Sequence, residues 1–362
     1  MKSVRLLLMA MAFYLPFNLH AMDHTKPEML PDEHYKEYWE QHVLFEDGTF
    51  VTSQFLVANF PWPVGDDHAI MVSTVVTPDG RRTIIKNGRN PGEWGFDKEK
   101  FNLFIHTHRI KEENGLHEVH LGADDKNEVN MRGRTEISPL KHKRFEEDDA
   151  FMEAAIYQPY LEGEGNWAIL QEDGVSFVKG AGKLQGFATH VKLNAPLEDL
   201  IDSWLRVSGL EGETAQPVPL LSAVERPDGG KDIVLTLKGV DGSITEFKDV
   251  RLKYKKMIKA EKKSSYPSVI EVTAHGGGRK MTGTIRLTRK IDHFNITDHL
   301  NFFERGFAQS RASVSNYRYI ADYDLTLASA TDKQVIRGKA LSEYADVIAP
   351  KEKKIRRSPR RR

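Results

Sequence analysis

Predominant period-2 alternation of apolar and polar residues, with turn residues at short intervals, is the feature that most constrains the fold of this chain. It runs through Thr49–Phe60 and again through Tyr317–Leu327. Asn114-Gly115 stands between two further runs, Phe101–Lys111 and Leu116–Leu121, and Asn-Gly favours a two-residue hairpin turn. Because successive side chains point to opposite faces of a strand, each run can bury one face. The pattern predicts an all-β protein of antiparallel strands.

Helical periodicity occurs only at Pro196–Leu205, where the proline suits the first turn of a helix. This segment lies at a seam near residues 185–200. The chain has 362 residues, and roughly 150 residues per domain predicts two domains. We therefore expect two antiparallel β-barrels in tandem, spanning residues 22–190 and 191–350, with a short helix near the seam.

The N-terminus has the order of segments that is typical of a secretory signal peptide. Lys2 and Arg5 precede an apolar stretch, Leu6–Phe17, and a cleavage site follows at Ala21. We therefore expect a periplasmic or secreted protein. The alternative is an uncleaved anchor, because Leu19 is larger than the residue that signal peptidases prefer at this place.

Charge is unevenly distributed although the formal net charge is zero. The tail Lys351–Arg362 carries +7 and the first 21 residues carry +2, which leaves −9 on residues 22–350. We expect a disordered tail that is attracted to anionic membrane surfaces. An acidic body argues against a nucleic-acid partner. The chain has no cysteine, which excludes disulfides and thiolate catalysis, and we expect no cofactor.

The seam carries short motifs that resemble those of a known superfamily. They are Gly186-Phe187-Ala188-Thr189-His190, Asn194-Ala195-Pro196 and Trp204-Leu205-Arg206, with Arg134–Leu140 and Asn316–Leu327 as candidate late strands of the two domains. This set resembles the tandem-lipocalin superfamily of survival-factor, bacterial AttH-type and carotenoid hydratase proteins. The resemblance implies two lipocalin-like barrels over about residues 38–345.

The departures from that superfamily concern its chemistry. Thr189 stands where the hydratase branch has an aspartate, and Val191-Lys192 stands where a tryptophan-containing segment would follow. The fold is therefore implied more strongly than the hydratase activity.

The candidate site residues lie at the seam and in the histidine-rich hairpin. His190 is the catalytic candidate, because imidazole titrates near neutral pH, although a structural hydrogen bond is the simpler interpretation. The residues predicted to bind a ligand are His106, His108, Thr189, His190, Trp204 and Arg206.

The hairpin also raises the question of a metal site. On one continuous strand, His106 and His108 would share a face, and a turn at Asn114-Gly115 would place Glu112 opposite His117. Imidazole and carboxylate groups suit zinc or iron. His106 and Glu112 would lie about 20 Å apart on an extended strand, so one ion cannot bind both without a bend. We therefore favour a polar hairpin face without metal.

Three functions remain open from the sequence. The first is a carrier that holds a small apolar molecule, such as a lipid, isoprenoid or pigment, in a barrel cavity. The second is a hydratase, cyclase or isomerase that acts on such a molecule. The third is a structural or interaction protein of the envelope. A carboxylate close to His190 in space would favour the enzyme.

The predicted signal peptide can be tested by sequencing the N-terminus of the exported protein. N-terminal sequencing of the protein from the producing cell should begin at Met22, because residues 1–21 are removed during secretion. Recovery of an intact Met1 in the exported fraction would contradict cleavage.

Overall fold

The computed structural model describes residues 27–60, 65–89, 92–97, 99–123, 126–147, 149–212, 214–260, 264–295, 298 and 313–348. The predicted signal segment and the basic tail lie outside the described residues. Within the described part of the chain, no helix is long and apolar enough to cross a membrane.

The described residues form two antiparallel sheets. The first comprises β1 Lys36–Phe45, β2 Phe50–Phe60, β3 Gly65–Val76, β4 Arg82–Arg89, β5 Trp94–Phe96, β6 Asn102–Ile105, β7 His108–Glu113, β8 Leu116–Ala123, β9 Asn127–Arg134, β10 Leu140–Lys141, β11 Phe145–Glu147, β12 Ala150–Leu170 and β13 Phe177–Leu193. The helix α1 Leu197–Leu200 follows. The second comprises β14 Ser203–Gly209, β15 Val218–Glu225, β16 Lys231–Lys238, β17 Ile244–Lys259, β18 Ser265–Gly276, β19 Arg279–Asn295, β20 Ser313–Ala328 and β21 Lys333–Ile348.

The first sheet is a curled half-barrel. Its strands follow the order β4-β3-β2-β1-β13-β12-β9-β8-β7-β6-β5, and β4 lies against β6 where the two ends approach each other. A side-chain contact spans this gap, with Asn87 Nδ2 on β4 lying 3.3 Å from His108 Nε2 on β7. The concave face is packed with apolar side chains that include Trp39, Phe55 and Leu103.

The second sheet is a closed barrel in which β14–β21 pair in chain order. Leu205 and Val207 on β14 point inward, and Tyr317 and Tyr323 on β20 fill the centre. Closure pairs each of these strands on both sides, which is how barrels avoid edge-to-edge association. The prediction of an all-β protein with two antiparallel barrel-like sheets in tandem is confirmed.

The helix at the seam is shorter than the sequence predicted. The helix α1 ends at Leu200, and Ser203–Gly209 is a strand rather than the continuation of a helix. Trp204 packs at the interface and its neighbour Leu205 packs inside the second barrel. Consecutive side chains point to opposite sides only in an extended strand. β13 runs to Leu193, beyond the predicted domain boundary at residue 190.

The Asn114-Gly115 turn has the predicted form. Both residues adopt positive φ, 53° and 74°, as a type I′ turn requires. The register pairs Glu113 with Leu116 and Glu112 with His117, as expected from the sequence.

The half-barrel, called the first barrel from here on, packs directly against the closed second barrel. The outer face of the first sheet contributes Phe187 and Ile156, which pack with Leu220, Ile320 and Leu341 from the second barrel. Because β1, β2 and β13 are covered on both faces, their polar residues on the outer face become buried.

The close approach of β1 and β13 at Gly186 predicts how a substitution there changes the free energy of unfolding. A Cβ atom at Gly186 would lie 1.9 Å from the carbonyl oxygen of His42, so Gly186→Ala must displace backbone. We expect Gly186→Ala to lower the free energy of unfolding by about 1–3 kcal/mol in urea denaturation. Gly88→Ala is the matched control, since a Cβ atom there would meet nothing within 4 Å, and it should change stability by less than about 0.5 kcal/mol. Equal effects of the two substitutions would contradict the close packing.

Candidate functional site

A network of charged side chains lies buried between the two barrels. Arg206 Nη1 on β14 donates hydrogen bonds to Glu40 Oε2 on β1 at 2.8 Å and to Glu343 Oε2 on β21 at 2.9 Å. Arg318 Nε on β20 lies 3.3 Å from Glu343 Oε1. The four side chains are at most 8% exposed. Charge-assisted hydrogen bonds therefore join the first sheet to the second barrel.

Three further residues extend this network. Arg318 Nη1 donates to Asp292 Oδ2 at 3.1 Å, and Arg82 Nε lies 3.0 Å from the other oxygen of Asp292. His42 Nε2 lies 3.3 Å from Glu40 Oε1. Three carboxylates thus face three guanidinium groups, and the fixed charges balance.

Strand alternation explains how these charges come to face the interface. On β1, Trp39 and Val43 point into the first barrel, so Glu40 points toward the second. On β14, Leu205 points into the second barrel, so Arg206 points toward the first.

Part of the network has the residue types of a metal site. Glu40, His42 and Glu343 each offer one ligand atom, and these atoms lie within 4.8 Å of one another. Both carboxylates, however, already accept hydrogen bonds from Arg206, and the guanidinium groups would repel a cation. We interpret the cluster as an ion-pair network.

The pKa values at the interface are displaced in opposite directions. Burial alone would raise the pKa of Glu40, but His42, Arg206 and Arg318 together hold it well below its usual value. Burial raises the pKa of Tyr38 well above its usual value despite the opposing charge of Arg206. At neutral pH, Glu40 is therefore a carboxylate and Tyr38 a neutral phenol.

A cavity of about 220 Å³ lies beside this network, between the barrels. Tyr38, Glu40 and Arg318 line its charged end. Its other walls come from both barrels and expose more apolar than polar surface. The apolar lining residues are Leu56, Val72, Leu193, Leu197, Trp204, Phe294 and Val314, and the polar ones include Lys36, Thr52, Gln54, Thr74 and Glu198. Asn316 also lines the cavity, and its buried Oδ1 atom has no hydrogen-bond partner among the described residues.

His190 lies on the opposite face of the sheet from this cavity. Its Nε2 atom is 2.8 Å from Glu37 Oε1, and its ring stacks on Trp39 with the centroids 4.7 Å apart. Burial lowers the pKa of His190, and the Glu37 carboxylate acts against that shift. The carboxylate that would favour an enzyme is therefore present, but both groups face the packed interior of the first barrel.

Three predicted ligand-binding residues meet at the interface instead. Thr189, Trp204 and Arg206 line a small cavity of about 10 Å³, together with Tyr38. Trp204 Nε1 donates a hydrogen bond to Glu343 Oε2 at 3.0 Å. Thr189 Oγ1 is buried and has no hydrogen-bond partner among the described residues.

His106 and His108 both line a cavity of about 970 Å³ on the first sheet, but they do not share a face of one strand. His106 has a φ of 56° and lies in the two-residue turn between β6 and β7, so the predicted continuous strand is interrupted there. His106 is exposed, whereas His108 is buried inside the first barrel. The expectation that the two side chains share a face was wrong, because it assumed an unbroken strand.

Glu40, Arg318 and Glu343 were not predicted from the sequence. Each stands in an alternating strand where a charged residue normally indicates the solvent-exposed face. Only the packing of one barrel on the other buries them, and no sequence signal indicates that contact.

Glu40 allows a prediction about stability and pH. Glu40→Gln leaves Arg206 and Arg318 with an uncompensated charge, and should cost about 3–5 kcal/mol of unfolding free energy at pH 7. Since the folded-state pKa of Glu40 is lowered, its stabilising effect is complete above the usual value of 4.5 and is lost as the pH falls below it. The difference between variant and wild type should therefore shrink by roughly 1.4 kcal/mol at pH 3.5.

Urea denaturation at the two pH values measures this difference. Glu164→Gln is the control, because Glu164 pairs with Arg132 on the surface with a 58% exposed side chain and should contribute at most about 1 kcal/mol. A pH-independent effect of Glu40→Gln would show that the carboxylate is not charged in the folded protein.

Comparison with known proteins identifies the fold. No protein-family model and no curated protein matches the sequence. Among solved structures, a putative AttH from Nitrosomonas europaea is 11% identical over 88% of this chain and 97% of its own, with a TM-score of 0.52.

Two further structures are similar. CghA with Sch210972 is 12% identical over 88% of this chain and 89% of its own, with a TM-score of 0.58. Kievitone hydratase from Nectria haematococca is 8% identical over 86% of this chain and 89% of its own, with a TM-score of 0.53. The chain therefore has the tandem lipocalin-like fold of the AttH-type and hydratase-like structures, as its seam motifs imply.

Proposed function

We propose that this protein binds a small molecule with an apolar body and one hydroxyl or carbonyl group in the cavity between its barrels. The observation that carries the proposal is the cavity itself, which combines apolar walls from both barrels with a charged end formed by Glu40 and Arg318. Ligand sites in proteins commonly have this composition and commonly lie between domains. The sequence predicted a small apolar ligand inside one barrel, and the proposal moves the site to the interface.

The polar groups of the cavity define the chemistry of the ligand. The unpartnered Oδ1 atom of Asn316 accepts a hydrogen bond, and the neutral phenol of Tyr38 donates one. Arg318 and Glu40 offset each other's charge, so an ionised ligand gains no net attraction. A buried acceptor that gains a partner is stabilised, which favours an alcohol over a hydrocarbon.

Catalysis of hydration or isomerisation is the second candidate function. A neutral acid, Tyr38, and a carboxylate base, Glu40, line one cavity, and paired groups whose pKa values are driven apart are typical of acid–base sites. One structural neighbour is named a hydratase. Both pKa values lie far from neutrality, however, which makes proton exchange slow at neutral pH. Binding therefore has the stronger physical support.

We further propose that binding takes place outside the cytoplasm. The charged, apolar and polar order of the first 21 residues supports this localisation. The basic tail adds attraction to an anionic membrane, where apolar molecules accumulate.

Filling the cavity tests the proposed function. Val72 lines it and is 6% exposed, so Val72→Trp should occupy the space and abolish binding of geraniol, an isoprenoid alcohol, in isothermal titration calorimetry. Wild type should bind geraniol roughly fivefold more tightly than myrcene, which lacks the hydroxyl group.

Val335→Trp is the matched control, because Val335 is 46% exposed, and it should bind geraniol as wild type does. Thermal melting of both variants checks that they are folded. Unchanged affinity in a folded Val72→Trp variant would place the ligand elsewhere, and no binding of either compound by wild type would argue against this ligand class.

A further inference from the structure

A serine, a histidine and an aspartate form a continuous hydrogen-bonded chain at the barrel interface. His142 Nε2 lies 2.8 Å from Ser222 Oγ, and His142 Nδ1 lies 2.9 Å from Asp232 Oδ2. Ser222 is 3% exposed and the His142 side chain 5% exposed. This order of atoms, hydroxyl to imidazole to carboxylate, is the arrangement that activates a serine nucleophile.

The fold brings these residues together from both domains. His142 directly follows β10 of the first sheet, and its backbone N–H donates to Ala154 O on β12 at 2.9 Å. Ser222 on β15 and Asp232 on β16 are diagonal neighbours, since the register pairs Ser222 with Val234. Packing of the barrels inserts the imidazole between them.

Asp232 determines which nitrogen of His142 carries the proton. Burial opposes ionisation of Asp232, but hydrogen bonds from His142 and from the Lys143 amide hold the pKa of this carboxyl below its usual value. The Asp232 carboxylate can only accept a hydrogen bond, so Nδ1 carries the hydrogen and Nε2 of the neutral ring is left as an acceptor. Nε2 therefore accepts the hydrogen bond of the Ser222 hydroxyl and can remove its proton.

We propose that Ser222, His142 and Asp232 are the nucleophile, the general base and the positioning residue of an acyl-transfer site that hydrolyses a small ester held in the interdomain cavity. This inference rests on the proposed function, because the substrate reaches Ser222 from that cavity. It names the substrate class as an ester of a small apolar alcohol.

The path from cavity to nucleophile is short. Ser222 and His142 line the small cavity that also contains Thr189 and Arg206. Tyr38 and Trp204 line both this cavity and the larger one, so the two cavities are adjacent, and these two side chains must move aside for a bound ester to reach Ser222. The unpartnered Thr189 hydroxyl and the Arg206 guanidinium provide hydrogen-bond donors for the oxygen of an acyl group at this place.

The reaction balances with water as the only co-reactant. Ser222 Oγ attacks the carbonyl carbon as its proton passes to His142 Nε2, and the new C–O bond forms an oxyanion. Collapse of the oxyanion breaks the ester C–O bond, and the leaving alcohol takes the proton from His142. Water then attacks the acyl-serine in the same way and releases the carboxylic acid.

Acetylation by p-nitrophenyl acetate tests the site in the full-length protein. Wild type should release nitrophenolate and carry an acetyl group on Ser222, identified by peptide mass spectrometry. Ser222→Ala should lower the rate at least about 100-fold and lose the adduct. Ser208→Ala is the control, because Ser208 is a buried serine 1% exposed on neighbouring β14, and it should react as wild type does.

Asp232→Asn distinguishes positioning from a structural role. The rate should fall, and the midpoint of its pH profile should move to lower pH, because the imidazolium that forms loses its carboxylate partner. Asp232→Glu should restore part of the rate. An unchanged pH profile in a folded Asp232→Asn variant would contradict the role of this residue.

The outcomes separate this inference from the proposed function. Geraniol binding without an adduct on Ser222 would overturn the acyl-transfer site and leave the ligand site standing. Acetylation of Val72→Trp at the wild-type rate would overturn the route through the interdomain cavity. Slow acetylation of Val72→Trp together with full acetylation of Val335→Trp would support both.

Discussion

Pairing of charges across the barrel interface is the interaction on which the rest of this structure depends. Glu40 from the first barrel would be an isolated charge in an apolar contact without Arg206 and Arg318 from the second. An unpaired buried charge is costly, so separating or rotating the barrels loses several hydrogen bonds at once. The network thereby holds the two barrels in one relative arrangement. Every cavity and side-chain cluster at the interface depends on that arrangement.

Both proposed sites lie at the interface, where the two packed barrels meet. Apolar side chains occupy the centre of each, and the first barrel also encloses the pair formed by His190 and Glu37. Between the barrels, by contrast, two curved surfaces meet, and curved surfaces leave space where they diverge. The interdomain cavity and the Ser222–His142 contact both lie in this region.

The local features of the chain follow from local rules. The Asn114-Gly115 turn and the register of its hairpin were predicted, because a type I′ turn needs positive φ at two residues and these two tolerate it. These local rules did not predict the turn at His106. Nothing in Ile105-His106-Thr107-His108 marks a turn, and the chain nevertheless reverses there, so that β6 can pair with β7.

The sequence by itself determined an all-β protein, two tandem lipocalin-like domains and a seam with a short helix. Alternation and turn residues, which act over a few neighbouring positions, indicated the strands, and the resemblance of the seam motifs implied the lipocalin-like barrels. Only the tertiary structure decided which charged residues form the site. Glu40, Arg318 and Glu343 occupy positions that alternation alone assigns to solvent, and His142 lies 80 residues before Ser222 and 90 before Asp232 in the chain. Contact between distant strands buries and joins these groups, and that contact depends on the packing of whole surfaces rather than on any local pattern.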